Sequence, residues 1–253
     1  MSAKLRKTLR TLAVVLFWLL IWQLLAALAG QELLLPSPLR VARELIRLAG
    51  GAEFWLTVAQ SIRRVLTGIV SAVLLGILLA LLTHKSAVLR ALLSPVMTLV
   101  KSTPVASFII LALVWLGRDV VPPVIAALMV LPVVWANVSQ GLDGIDPQLL
   151  ELAQVCRLPR GRVFRRITLP SVLPHLRAAL CSALGLGWKA GVAAEILTVP
   201  ARSIGKRIYE AKIYLETTEL FAWTAAVVLL SLVIEGLLLR LVGRIGKKGG
   251  AHA

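Results

Sequence analysis

Apolar residues fill most of this chain in runs of roughly 20, the length that crosses a bilayer as an α-helix, and short polar stretches separate the runs. The pattern predicts spans over about 12–30, 65–83, 120–141, 171–197 and 220–242. A further apolar stretch, Ala87 to Leu116, is interrupted by Lys101-Ser102-Thr103-Pro104. At 30 residues it exceeds one straight crossing, and it is read as a single crossing broken at Pro104, where a helix hydrogen bond is lost. The alternative is two crossings. Gly117-Arg118-Asp119 reads as a turn.

Residues 39–49 have a different period. Leu39, Ala42, Leu45, Ile46 and Ala49 recur at helical spacing against Arg40, Arg43, Glu44 and Arg47, which predicts an amphipathic helix at an interface. Ahead of it, Lys4, Arg6, Lys7 and Arg10 precede the run Leu12–Ala29, and Ala27 and Ala29 offer a small-x-small cleavage pattern. The 18-residue length and bulky Trp18 and Trp22 favour a retained first span over a signal peptide. The expected organisation is a cytoplasmic N-terminus at 1–11, a transmembrane domain at 12–243 and a basic cytoplasmic tail at 244–253.

Composition supports this reading: 58% of residues are hydrophobic and 16% charged, against about 25% charged in soluble domains. The net charge of +16 is assigned to topology rather than to nucleic acid, because cytoplasmic loops of membrane proteins concentrate Lys and Arg. With six crossings and both termini inside, the inner segments hold fifteen Lys and Arg and the outer ones ten. Cys156 and Cys181 lack metal-ligand spacing and read as small, partly buried residues. His84, His175 and His252 are scattered and form no metal motif.

The segment 141–170 carries the most chemistry. Asp146 suits a helix N-cap and Pro147 the first helical position. A short helix over 147–157 follows, with Leu149, Ala153 and Cys156 on one face and Gln148, Glu151 and Gln154 on another. Leu158-Pro159 ends it. Too short and polar to cross, it lies on the membrane surface. Arg160, Arg162, Arg165 and Arg166 then lead through Ile167-Thr168-Leu169-Pro170 into the fifth span.

This stretch resembles the cytoplasmic EAA loop of ABC importer permeases. That pattern is Glu-Ala-Ala, a glycine four residues after the second Ala, and Ile-x-Leu-Pro ten residues further on. Glu151, Ala153, Ile167, Leu169 and Pro170 match in register; Leu152 replaces the first Ala and Arg157 the glycine, with Pro159 and Gly161 available for a shifted turn. Leu35-Pro36-Ser37-Pro38, the stretch from Pro104 to Leu113-Val114-Trp115-Leu116-Gly117, the trio Gly141, Asp146 and Pro147, and Ala193-Ala194-Glu195 resemble segments of the sulfonate, taurine and nitrate permeases, in the same order.

The resemblance implies an all-α, polytopic type I importer fold in the bacterial inner membrane, with about six transmembrane helices and a coupling helix. It implies that Glu151, Ala153, Gln154, Arg157 and Gly161 couple to a separate cytoplasmic ATPase. That partner binds ATP and Mg; this chain has no Walker A pattern and no cofactor or catalytic residue is expected in it. A periplasmic or lipid-anchored binding protein delivers the solute, and a second permease copy and membrane lipid are the remaining partners. The solute would be a small organic or inorganic anion, or a vitamin precursor.

Lys101, Lys189, Glu195 and Glu235 fall in or near apolar runs, where ionisable groups cost about 2.5–3.5 kcal/mol on insertion scales. Trp188 and Glu195, seven apart, share a helix face. Two readings stand for Lys101, Trp188, Lys189 and Glu195: structural pairing between helices, or the lining of a solute pathway. Gly187 and Gly191 form a small-xxx-small pair suited to close packing, expected at a two-fold axis. The competing functions are an ion-gradient-driven secondary transporter, for which no internal repeat is visible, and a membrane-embedded enzyme.

Overall fold

A computed structural model describes residues 3–247 of the chain, so Lys248 and the rest of the expected tail lie outside the described residues. Every regular element is helical: α1 (Ala3–Ala29), α2 (Pro38–Ala49), α3 (Ala52–Lys85), α4 (Ala87–Ser102), α5 (Val105–Trp115), α6 (Val121–Asp143), α7 (Pro147–Val155), α8 (Arg160–Val163), a π-helical turn Phe164–Thr168, α9 (Leu169–Thr198), α10 (Ile204–Ile213) and α11 (Thr217–Lys247). Among the described residues five helices are long and apolar enough to cross a membrane, and the bent pair α4–α5 brings the number to six.

α6, α9 and α3 form the centre. Of the apolar window of α6, 56% is buried, whereas none of that of α1 is. The core joins Val65, Ile69 and Ala72 of α3, Val130 and Val134 of α6, and Ala183, Leu184 and Trp188 of α9. Gly187 and Gly191 are consumed inside this subunit, not at a two-fold axis. A Cβ at Gly187 would lie 2.8 Å from Ile69 and Val130, and one at Gly191 2.6 Å from Val65. Their bare backbone is what lets α9 approach α3 and α6 this closely.

Two polar belts mark the ends of the bundle. At one, Asp143 at the end of α6 accepts from Arg90 Nη2 at 2.6 Å and pairs with His84 Nδ1 at 3.3 Å. At the other, Arg64 of α3 donates to Asp119 just before α6, at 2.9 Å. α4–α5 therefore carries the chain from one belt to the other, alongside the 23 residues of α6, about 34 Å of helix. It is one broken crossing. The bend is 107° and falls at Thr103, which is extended (φ −85°, ψ 134°) because the residue before a proline avoids the helical region. The side chains of Ser102 and Thr103 join the Thr103 amide on the Leu99 carbonyl, at 3.1 and 2.8 Å.

α1 meets α11 at the α10 end: Trp22 packs on Phe221, with ring centroids 6.0 Å apart, and Thr217 Oγ1 donates to the Leu33 carbonyl at 2.8 Å. The start of α1 and the end of α11 hence share the opposite end of the bundle with α7. α2 forms as the amphipathic pattern predicts, with Pro38 at its start and Val41 buried. The hydrogen bond from Arg47 holds the Glu44 carboxyl below its ordinary value, against the opposing effect of burial.

Three boundaries differ from the sequence reading. The second span begins at Ala52 rather than near 65, because the polar residues that mimic a loop, Ser61 and Arg64, are satisfied by Glu195. Helix α10 is additional; its start is buried at Ile204 and Gly205. α11 continues to Lys247 rather than ending near 242.

Candidate coupling loop and solute pathway

The loop at the α7 end is built as its sequence dictates. The Asp146 carboxylate accepts from the Gln148 amide at 2.9 Å, satisfying an orphan donor of the first turn. Pro147 occupies the first helical position, where no amide bond is lost. The far end is a Schellman motif: the Leu158 amide donates to the Ala153 carbonyl and the Arg157 amide to the Gln154 carbonyl, both at 2.9 Å. Such a motif places its second-last residue in the left-handed region, and Arg157 sits there, at φ 49°. Arg157, which stands where the resembled pattern has glycine, thus takes a conformation that glycine adopts without strain. The turn is not shifted: Gly161 lies inside α8 with open space around its Cα, and the two bonds at Arg157 already close the helix.

Only Ala153 of α7 is buried. Leu149, Leu152 and Val155 are exposed, Val155 at 80%, as are Glu151, Gln154 and Arg157. Beside them opens a cleft of about 590 Å³, lined by Ala153, Gln154, Arg157, Leu158, Arg160 and Phe164 among others. Downstream, α8 runs through the π turn into α9 as one helical rod, Arg160–Thr198, so the basic run is helical rather than a loop. The π turn has a local cause. Pro170 has no amide to donate, and the Leu169 amide reaches back five residues to the Phe164 carbonyl, the i→i+5 pattern of a π bulge.

The four in-span candidates separate into two environments. Glu195 is fully buried. It accepts from Ser61 Oγ at 2.8 Å, Arg64 Nη1 at 2.9 Å and the Gly205 amide at 3.3 Å. Arg64 also reaches Asp119 at 2.9 Å and the Ala201 carbonyl at 3.1 Å, so this network ties α3, α9, α10 and the entry to α6. Its partners Ser61 and Arg64 escape a sequence reading because they lie more than 130 residues away; the charged run Arg63-Arg64 beside a span was the available signal. Trp188 is buried too, donating Nε1–H to the Val227 carbonyl of α11 at 3.2 Å. Lys189 and Lys101, by contrast, are exposed. Lys189 lies on an open face of α9 with Ser182, Leu186, Ala193 and Leu197. Each lysine is the neighbour in sequence of a residue in one core cluster, Val100 for Lys101 and Ala190 for Lys189. Among the described residues no group of His, Cys, Asp and Glu could hold a metal ion.

Comparison with known proteins decides the class. The family described as the binding-protein-dependent transport system inner membrane component matches residues 72–248. The chain belongs to this family. It is a multi-pass permease subunit of an ABC importer. The taurine transport system permease protein TauC of Escherichia coli (strain K12) is 26% identical over 243 residues, 93% of this chain and 86% of that protein. The bicarbonate transport system permease protein CmpB of Synechococcus elongatus is 29% identical over 223 residues, 82% and 78% of the two chains. The putative aliphatic sulfonates transport permease protein SsuC of Bacillus subtilis is 26% identical over 204 residues, 80% and 74%. In fold the permease resembles a chain from a bacterial ABC transporter that imports the acidic polysaccharide alginate, with a TM-score of 0.53 and 21% identity over 96% of this chain and 99% of that one. A chain from an amino acid ABC transporter gives 0.56 at 14% identity, covering 76% and 94%. Membership in a binding-protein-dependent family implies an ATPase and a solute-binding protein as partners.

Proposed function

We propose that two identical copies of this permease form the pathway of an importer for a small anion, driven by a separate ATPase that grips α7. The observation that supports coupling is the surface of α7: a capped two-turn helix showing Leu152 and Val155 beside Glu151, with a cleft at its back. Apolar side chains gathered on a solvent-facing helix between spans are suited to a groove in a partner. The ATPase binds ATP and Mg, and the α7 end, with both termini, faces the cytoplasm. The binding protein then docks at the α10 end. The positive-inside bias supports that orientation.

Two features support an anionic solute. Relatives are named for taurine, aliphatic sulfonates and bicarbonate. Lys189 stands nine residues from the end of α9 at Thr198, about 14 Å into the span, yet it is exposed. A lysine held there against lipid is costly, so it faces water. Small Ser182 and Ala193 on the same face leave room for a second copy and a path between them. Lys101 supplies a further cation at the α4–α5 break. The test is competition for uptake by the reconstituted permease, ATPase and binding protein, with taurine, an alkanesulfonate, bicarbonate and a cationic control. Lys189→Glu should lower anion uptake at least about tenfold, equivalent to about 1.4 kcal/mol, with the complex intact. Unchanged anion uptake by Lys189→Glu would remove Lys189 from the path.

A further inference from the structure

Between α3, α9 and α11 runs a groove of about 470 Å³ whose lining is wholly apolar; it includes Ile62 and Leu74 of α3, Leu180 and Leu184 of α9, and Leu230 and Leu237 of α11. From Ile62, two residues from Arg64 of the far belt, to Leu74 it follows about 18 Å of helix toward the α7 end. Arg177 lies one turn beyond Leu180 on the same face of α9, toward the α7 end. Its Nε and Nη2 are buried and have no hydrogen-bond partner. The side chain as a whole is half-buried; donors left unpaired out of water are costly, and among the described residues no acidic residue pairs with Arg177. Glu235, the acidic residue of α11 at this level, is exposed and is not part of the lining.

The depth of Arg177 fits a headgroup. Gly141 of α6 packs against Val172 and His175 of α9, two residues before the polar belt at Asp143. Arg177 is two residues past His175 and five past Val172, so its Cα is about 6–10 Å from that belt. Side chains on a helix tilt toward its N-terminus, which for α9 is the α7 end, so the guanidinium reaches back toward the interface.

We propose that this groove binds an anionic phospholipid, with one acyl chain between α3, α9 and α11 and its phosphate on Arg177. The other apolar occupant available is α1 of a second copy. α1 contains no Asp or Glu and leaves the guanidinium unanswered, whereas a phosphate meets its planar donor fork.

Native mass spectrometry of the full-length permease in detergent, titrated with phosphatidylglycerol or phosphatidylcholine of the same acyl chains, tests the site. Wild type should retain phosphatidylglycerol at least about tenfold better, about 1.4 kcal/mol. Arg177→Gln should erase that preference, Arg177→Lys should keep part of it, and Leu184→Trp, which fills the groove and leaves the charge, should lower retention of both lipids. Excess inorganic phosphate should displace neither. The proposal is overturned if Arg177→Gln retains the preference, if phosphate alone competes, or if Leu180→Cys crosslinks to Leu16→Cys in α1 of a second copy. Should Arg177→Gln fail to assemble, Leu184→Trp decides, and unchanged retention there rules the groove out.

Discussion

Arg157 shows how one residue shapes the loop. A left-handed backbone costs a non-glycine residue roughly 1–2 kcal/mol, and it persists here because two hydrogen bonds close the helix around it. Arg157→Gly removes that strain but adds freedom to the unfolded chain, so the net gain should be up to about 1 kcal/mol. Amide exchange of α7 should slow by up to about fivefold, with coupling retained. Arg157→Val should speed it, since a β-branched residue is an outlier at positive φ. Glu195 makes the contrasting case. Removing one partner of a buried ion pair leaves the other uncompensated, at about 3–5 kcal/mol. Glu195→Ala should therefore lower the thermal midpoint of the detergent-solubilised permease far more than Lys189→Ala, whose side chain is exposed. Equal shifts for the two would contradict the structural role assigned to Glu195.

At the scale of elements, packing of α9 on α3 rests on bare backbone. Gly191→Leu forces a side chain into the space held by Val65, and overpacking of this kind costs about 1–3 kcal/mol or more. Folded permease recovered from membranes should fall sharply, while Gly161→Leu, in open space on α8, should leave it unchanged. The elements themselves were largely legible. Hydrophobic runs located the spans, Asp146-Pro147 located α7, and Lys101–Pro104 located the break in α4–α5. What escaped depends on contacts across the chain. Ser61 and Arg64 look like loop residues until Glu195 is seen to satisfy them, and Gly187 and Gly191 reveal their need for close approach without revealing which helix approaches. α10 is short and polar, and it is held by burial of its first turn against Glu195. The left-handed turn at Arg157 is hidden because arginine carries no local signal for positive φ.

The whole molecule is a bundle centred on α6 and α9, with α1 at its margin and α7 at one end. Both ends of the described chain lie on the side of α7, and the proposed orientation puts that side in the cytoplasm. A reporter that works only in the cytoplasm, fused after residue 240, should be active; activity of a periplasmic reporter there would reverse the orientation. The mass of the purified complex should correspond to two permeases and two ATPases, and a second kind of permease would exclude the homodimer. In the proposed function, solute moves because an ATPase grips α7 through a surface that includes Glu151. A carboxylate there accepts charge-assisted bonds worth about 1.5–3 kcal/mol, so its loss should weaken docking by roughly 10- to 150-fold. The most direct measurement is uptake by proteoliposomes holding permease, ATPase and binding protein, with assembled complex quantified alongside. Wild type should accumulate solute only with ATP, and Glu151→Ala should insert normally yet lose most uptake and solute-stimulated ATP hydrolysis, with Gln154→Ala affected less. Uptake sustained by an ion gradient without ATP, or normal uptake by Glu151→Ala, would contradict the account.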